Sequence, residues 1–359
     1  MSKEHRNNIL IITPHLNHYG GIANYYRTLK SYFPNNIYYF YRGFNNNKKK
    51  SSTNHKYFKA LKYIYDYIKF IILIIHSDYG TIVLNTSLGW GGLKRDAIYL
   101  KIICFLDKKS IVFFRGLDDA ILSDIQNKRL SWFQKNYFNA NTFVVLSNSF
   151  KSKLIDWGYE KPIFVESTVV DDNLLRKDKK DFSKLVFLFY SRIEKYKGIY
   201  ETINAVNNLE KRGYNFEFKI VGTGTELENV KKIVNQLKIE NIKFYGYVID
   251  EEKKVVLNDS NILLFPSYSE GMPNSVLECM AQGLVIVTTK VGGLVDFFKD
   301  KINGYFLEEL STKEIESKIE CIFKDLNILD NISRNNILFA SNHFIASNVV
   351  KRLIYIFNY

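Results

Sequence analysis

Cysteine and proline are scarce in this 359-residue chain, at 3 and 5 residues. Cys104, Cys279 and Cys321 lie far apart, odd in number and without metal-type spacing, which excludes a disulfide framework and suits a reducing compartment. Long apolar runs are also missing. The most apolar stretch, residues 70–75, falls far short of the roughly 20 residues a spanning helix needs. The start, MSKEHRNNILIITPHL, has too short an apolar core for a signal peptide. These features predict a cytoplasmic protein, at most resting on a membrane surface. Acidic residues are outnumbered by basic ones, 37 to 50, for a net charge of +13. That balance favours polyanionic partners. The basic residues are spread along the chain, the one dense run being Lys48–Lys50 beside Asn45–Asn47, read as a solvated loop. No nucleic-acid motif accompanies them, so an anionic membrane surface or a phosphate-bearing substrate is the expected partner. D-x-D, common in metal-dependent transferases, is absent. His15 and His18 are close in sequence but lack further ligands nearby and read as loop residues.

What is present is alternation. Residues 8–13, 37–41, 81–85, 110–114 and 142–146 are short apolar runs, separated by longer helical stretches such as 22–33 and 57–76. Near-continuous apolar character suits strands buried on both faces of a parallel sheet. Residues 171–184, DDNLLRKDKKDFSK, are polar and highly charged, and are expected to be a linker. The alternation then restarts, with strands expected at 185–190, 216–221, 242–245, 261–265 and 284–288. Two α/β halves follow, an N-terminal domain over 1–175 and a C-terminal domain over 183–341. Ligands of such sheets lie beyond the strands' carboxyl ends, and a cleft between two facing halves is the expected site. Residues 342–359 carry Val349, Leu353 and Ile356 at helical spacing and are expected to form a terminal helix.

The stretch SYSEGMPNSVLECMAQG (residues 267–283) runs from a loop into a helix. Gly271 and Pro273 exclude a helix interior, proline suits a first helical position, and Gly283 would end the helix. Free N–H groups at its start offer a phosphate site. Glu278 has the chemistry to accept from a vicinal diol such as a ribose, and Glu270 from another hydroxylated ring. The plainer alternative is an acid favouring the helix dipole and a solvated Glu278. After the strand at 185–190 comes SRIEKYKG, where Arg192 and Lys197 offer a fork and a point charge to phosphate, or simply a solvated loop. VGTG, with Gly222 and Gly224, and the pair Gly292–Gly293 follow other strands and permit close approach of a ligand. In the first half, HYGGIAN sets Gly20 and Gly21 between a strand and a helix, either to bring amides to a diphosphate or as a plain turn.

The ordered set YSRIEKYKG, IVGTG, FYGYV, FPSYSEGMPNSVLECMAQG, TTKVGG resembles the family 4 retaining glycosyltransferases, with Glu270 and Glu278 matching the family's E-x7-E motif. The resemblance implies a GT-B fold, two Rossmann-like doubly wound domains facing each other across a cleft, with the last helix packing back on the first domain. It implies that Glu278 binds the ribose of a nucleotide-sugar donor and Glu270 the transferred sugar. Arg192 and Lys197 would neutralise the diphosphate, and Met272, Pro273, Asn274 and Ser275 would lie along the donor's sugar and phosphates. Many members carry a histidine where IVFFRGLDD places Arg115, and a glutamate where this chain has Asp296. Arg115 either does the histidine's work by another contact or binds acceptor phosphate. The implied activity is transfer from a UDP- or GDP-sugar to a glycan or polyprenyl-linked acceptor in surface polysaccharide synthesis, without metal or other cofactor. A non-catalytic nucleotide-sugar-binding scaffold and a hydrolysing epimerase are the competing readings. A glycosidase would leave the donor-binding set unexplained.

Overall fold

The computed structural model describes residues 8–18, 20–43, 55–116 and 118–359, with side chains from residue 61 onward in the helix that begins at His55. The Lys48–Lys50 run lies outside the described residues. The chain divides into two units, one of Met1–Ser167 with Ala346–Tyr359, the other of Thr168–Ile345.

The first unit holds strands β1 (Asn8–Pro14), β2 (Ile37–Arg42), β3 (Tyr79–Ser87), β4 (Lys109–Arg115), β5 (Thr142–Val145) and β6 (Ile163–Val165). Its helices are α1 (Gly21–Leu29), α2 (His55–Ile75), α3 (Trp90–Phe105), α4 (Asp119–Asp124), α5 (Leu130–Tyr137) and α6 (Asn148–Asp156). The strands form one sheet in the order β2-β1-β3-β4-β5-β6, every pairing parallel. Ile9–Ile12, Ile82–Leu84 and Ile111–Phe114 are buried along their whole length, so both faces of the sheet are covered.

The second unit holds β7 (Val186–Tyr190), β8 (Glu217–Val221), β9 (Ile242–Gly246), β10 (Ile262–Phe265), β11 (Val285–Thr289) and β12 (Gly304–Leu307). Its helices are α7 (Ile199–Lys211), α8 (Leu227–Leu237), α9 (Asp250–Asn258), α10 (Asn274–Ala281), α11 (Thr312–Lys324) and α12 (Asn327–His343). The parallel order β9-β8-β7-β10-β11-β12 is that of the doubly wound dinucleotide-binding fold, with its direction reversing between β7 and β10. The two apolar clusters of this unit are built from alternate strand residues, Phe187 and Phe189 in one, Leu188 in the other. Ser311 accepts from the Glu314 amide and starts α11, as the S-x-x-E spacing favours. The last helix, α13 (Ala346–Asn358), belongs to the first unit; there Thr81 Oγ1 donates to the Phe357 carbonyl.

Residues 171–184, expected as a linker, pack into the second unit, and the division falls between Ser167 and Thr168. Arg176 N–H donates to the Ala281 carbonyl, and Gln282 Nε2 donates to that of Leu174. Lys180 is buried and donates to the carbonyls of Leu257 and Asn258 at the end of α9, so its charge has a local use. Burial, and then the nearby Arg176, push its ammonium down to about 7 from 10.5. Between those values the unfolded chain binds more protons than the folded one, so stability rises with pH. The melting temperature is expected to climb from about pH 7 to about pH 9.5, and Lys180→Met to flatten that rise; a wild-type profile falling over this window would refute the assignment.

Candidate functional site

Strand order reverses between β7 and β10, and the loops leaving these two strands meet at the sheet's carboxyl edge, where ligands of doubly wound sheets bind. Those loops, residues 191–198 and 266–273, carry Arg192, Lys197, Glu270, Met272 and Pro273. Lys197 lies in a short 3₁₀ turn after β7 and is buried, its ammonium paired with the Glu270 carboxylate from the loop after β10. The two side chains are 8% and 13% exposed, so the pair is largely sheltered from water yet open at one edge.

Glu278, one turn into α10, is held at both oxygens. Tyr190 Oη donates to Oε2 at 2.9 Å, and Lys253 Nζ from α9 donates to Oε1 at 2.9 Å. Burial, and then the adjacent Glu278, push the Tyr190 hydroxyl well above its ordinary value, so it stays a protonated donor. Tyr190 and Lys253 were not among the residues singled out by motif.

The backbone of this edge is interlocked. A Cβ at Gly222 would collide with the Ser191 carbonyl oxygen, and one at Gly292 with the carbonyl oxygens of Gly271 and Glu270; both residues also have positive φ. Gly224 lies as close to Ile193. Ile193 N–H donates to Thr223 O at 3.0 Å, Gly293 N–H to Gly271 O at 2.6 Å, and Tyr268 N–H to Tyr196 O at 3.0 Å. Glu194 accepts from both Thr225 N–H and Thr225 Oγ1, and these bonds hold its carboxyl below the usual range.

Pro273, expected at the first helical position, is instead the N-cap of α10, and no side chain caps the helix. Asn274 and Ser275 are therefore its first residues, both half-buried, and no acidic side chain occupies the first turn. Their N–H groups are available for an anion. Met272 packs partly against the apolar cluster beneath. Arg192 is exposed, its guanidinium 5.6 Å from the Tyr196 ring centre, and among the described residues it pairs with no carboxylate. Asp296 is exposed at the end of the 3₁₀ turn Gly292–Asp296.

The first unit holds the remaining candidates. Gly20 and Gly21 are exposed at the start of α1, with open space where a Cβ would stand. Arg115 ends β4 but is buried. Its guanidinium lies 3.5 Å from the Phe113 ring centre and 3.8 Å from that of Tyr25, and its Nε donates to Asn85 Oδ1 at 3.0 Å. Asn85 also accepts from Tyr26 Oη and donates to the Ile12 carbonyl, tying β1, β3, β4 and α1 together. Arg115 is thus first a strut within the unit. Its Nη2 is buried without a hydrogen-bond partner, a donor the fold itself leaves unused.

Residues 171–338 match the family model of the glycosyl transferases group 1. The chain is 26% identical over 239 residues to the capsular polysaccharide biosynthesis glycosyltransferase CapM of Staphylococcus aureus, covering 62% of each. It is 22% identical over 221 residues to the putative colanic acid biosynthesis glycosyltransferase WcaL of Escherichia coli, covering 59% of this chain and 54% of that protein. The matches therefore span less than two thirds of these relatives' length. Among solved structures, Anabaena HepE in complex with UDP has a TM-score of 0.78 at 16% identity, covering 98% of this chain and 99% of that one. Sucrose-phosphate synthase from Thermosynechococcus elongatus reaches 0.73, also at 16% identity, covering 98% of each chain. At such identity the likeness shows the fold, which is GT-B. The match to the glycosyl transferases group 1 model falls within the second unit and spans nearly all of it.

Proposed function

We propose that the protein is a retaining glycosyltransferase of the family 4 type, moving a sugar from a UDP- or GDP-sugar to a glycan or lipid-linked acceptor in surface polysaccharide synthesis. The observation that carries this reading is the meeting of Lys197 with Glu270, beside a Glu278 fixed at both oxygens, at the carboxyl edge of one doubly wound sheet. Relatives named for capsular polysaccharide and colanic acid biosynthesis, and a structural neighbour in complex with UDP, support the substrate class.

In this mechanism the acceptor hydroxyl oxygen bonds to the anomeric carbon as the bond from that carbon to the leaving diphosphate oxygen breaks. The hydroxyl proton passes to the leaving phosphate on the same face. Negative charge grows on the diphosphate, where Lys197, Arg192 and the first N–H groups of α10 stabilise it. Those cations and dipoles do the work a divalent ion does elsewhere, so the reading asks for no metal. Glu278 accepts from the ribose hydroxyls and Glu270 from the sugar being moved. In the first unit Gly20 and Gly21 are the candidates for bringing backbone amides to the diphosphate, and the unused donor of Arg115 for the histidine's contact or for an acceptor phosphate.

A thermal-shift screen against UDP-, GDP-, ADP- and CMP-sugars, with and without added magnesium, tests the reading. One nucleotide class at 100 times its Kd is expected to stabilise by about 2.7 kcal/mol, a rise of several degrees. A folded protein shifted by none of them would overturn it. Labelled transfer to lipid acceptors then separates a transferase from an epimerase, which releases free sugar, and from a scaffold, which binds without turnover.

A further inference from the structure

We propose that the outer face of α2 and α3 is a docking surface for an anionic lipid bilayer. The observation is independent of the donor site. Along α2, Leu61, Ile64, Tyr65, Ile68, Ile72 and Ile75 are all exposed, between 53% and 63%. Their spacing of three and four residues sets them on one stripe of the helix. The opposite face is already used, with Phe70 and Ile74 buried in the core of the unit. An apolar stripe of this length left uncovered marks an interaction surface.

The neighbouring helix extends it. Tyr67 and Phe70 of α2 pack their rings against Tyr99 of α3 at 4.7 and 5.1 Å, so the two helices lie side by side. On α3 the exposed positions Lys94, Ile98, Lys101 and Phe105 again recur every three or four residues, alternating cation and apolar group. Phe105 is 87% exposed.

Charge identifies the occupant. The only acid in α2, Asp66, is buried, where it accepts from Lys62 and from the Gly43 amide. The only acid in α3, Asp96, is buried and paired with Arg42 and Arg95. Within both helices every carboxylate therefore faces inward, while Lys69, Lys94 and Lys101 face out beside the apolar stripe. A second copy of the same face would set lysine against lysine. Anionic headgroups with acyl chains behind them match both elements, the lysines at headgroup level and the isoleucines just below. Among the described residues no helix is long and apolar enough to cross a membrane, so the face lies on the bilayer.

The test is co-sedimentation of the full chain with vesicles of 30% phosphatidylglycerol in phosphatidylcholine, against phosphatidylcholine alone. Binding is expected to the anionic vesicles only and to weaken from 0.1 to 0.5 M salt. Lys94→Gln with Lys101→Gln should weaken it by roughly 25-fold, about fivefold for each lysine. Ile64→Gln, Ile68→Gln and Ile72→Gln together should abolish it. Melting curves, and the nucleotide-sugar shift on the same samples, show that the variants are folded and keep this test separate from the donor-site reading. No sedimentation, equal binding to both vesicles, or unchanged binding by either variant would overturn the proposal. So would a dimer that the isoleucine variant dissociates, which would assign the face to a second copy.

Discussion

Lys197→Ala is expected to lower sugar transfer by about 10²- to 10³-fold, the loss that follows removal of one preorganised charge-stabilising donor. The residue sits at the strand-order reversal, and its ammonium already faces a carboxylate rather than water. That placement complicates the experiment. Truncating one member of a sheltered ion pair leaves the other uncompensated, at a cost of up to about 3–5 kcal/mol where burial is complete. An inactive Lys197→Ala protein could then be merely unstable. Lys197→Ala combined with Glu270→Gln removes both charges, and this double variant is expected to recover most of the melting temperature and none of the activity. Turnover measured with the donor that shifts the melting curve decides the matter. A folded double variant turning over at the wild-type rate would remove Lys197 from the leaving-group role.

Glu278→Ala is expected to weaken nucleotide binding by about 10- to 100-fold, the range for losing hydrogen bonds to a charged acceptor. Tyr190 and Lys253 each occupy one oxygen of this carboxylate, which leaves one lone-pair direction on each for a diol. Tyr190→Phe and Lys253→Met keep the acceptor but loosen its aim, so their effects should be smaller, near tenfold each. Calorimetric titration with the free nucleotide diphosphate reads all three. A Glu278→Ala protein with unchanged affinity would show that the carboxylate serves only to hold β7, α9 and α10 together.

The central strands of both sheets were legible because burial on two faces leaves an unbroken apolar run, as in Ile9–Ile12 or Ile262–Phe265. The edge strands β6 and β12 were not, since IFV is only three residues and partly exposed and GYFL opens on a glycine, so neither shows an unbroken run of four apolar residues. The charged run at 171–184 read as a linker, yet Arg176 and Lys180 spend their donors on backbone carbonyls of the second unit. Charge in a sequence records the need for polar partners, and does not say whether those partners are water. Lys197, Glu270 and Glu278 stood out through spacing and neighbouring glycines. Nothing local marked Lys253, which stands in the mixed-charge run DEEKK at the start of α9. Nor did the pattern around Arg115 show that Tyr25, 90 residues earlier, would close over it.

The loops bearing the second unit's candidate residues touch one another through bare backbone, at Gly222 against Ser191, Gly224 against Ile193, and Gly292 against Glu270 and Gly271. Parts fitted so closely resist changes of length. One residue inserted at any of these contacts would have to displace a neighbouring main chain, and with it Lys197 or Glu270. Change at this edge is thus channelled into exchanging side chains at positions such as Met272, Asn274 and Asp296, while added loop length fits better at other edges of the sheet.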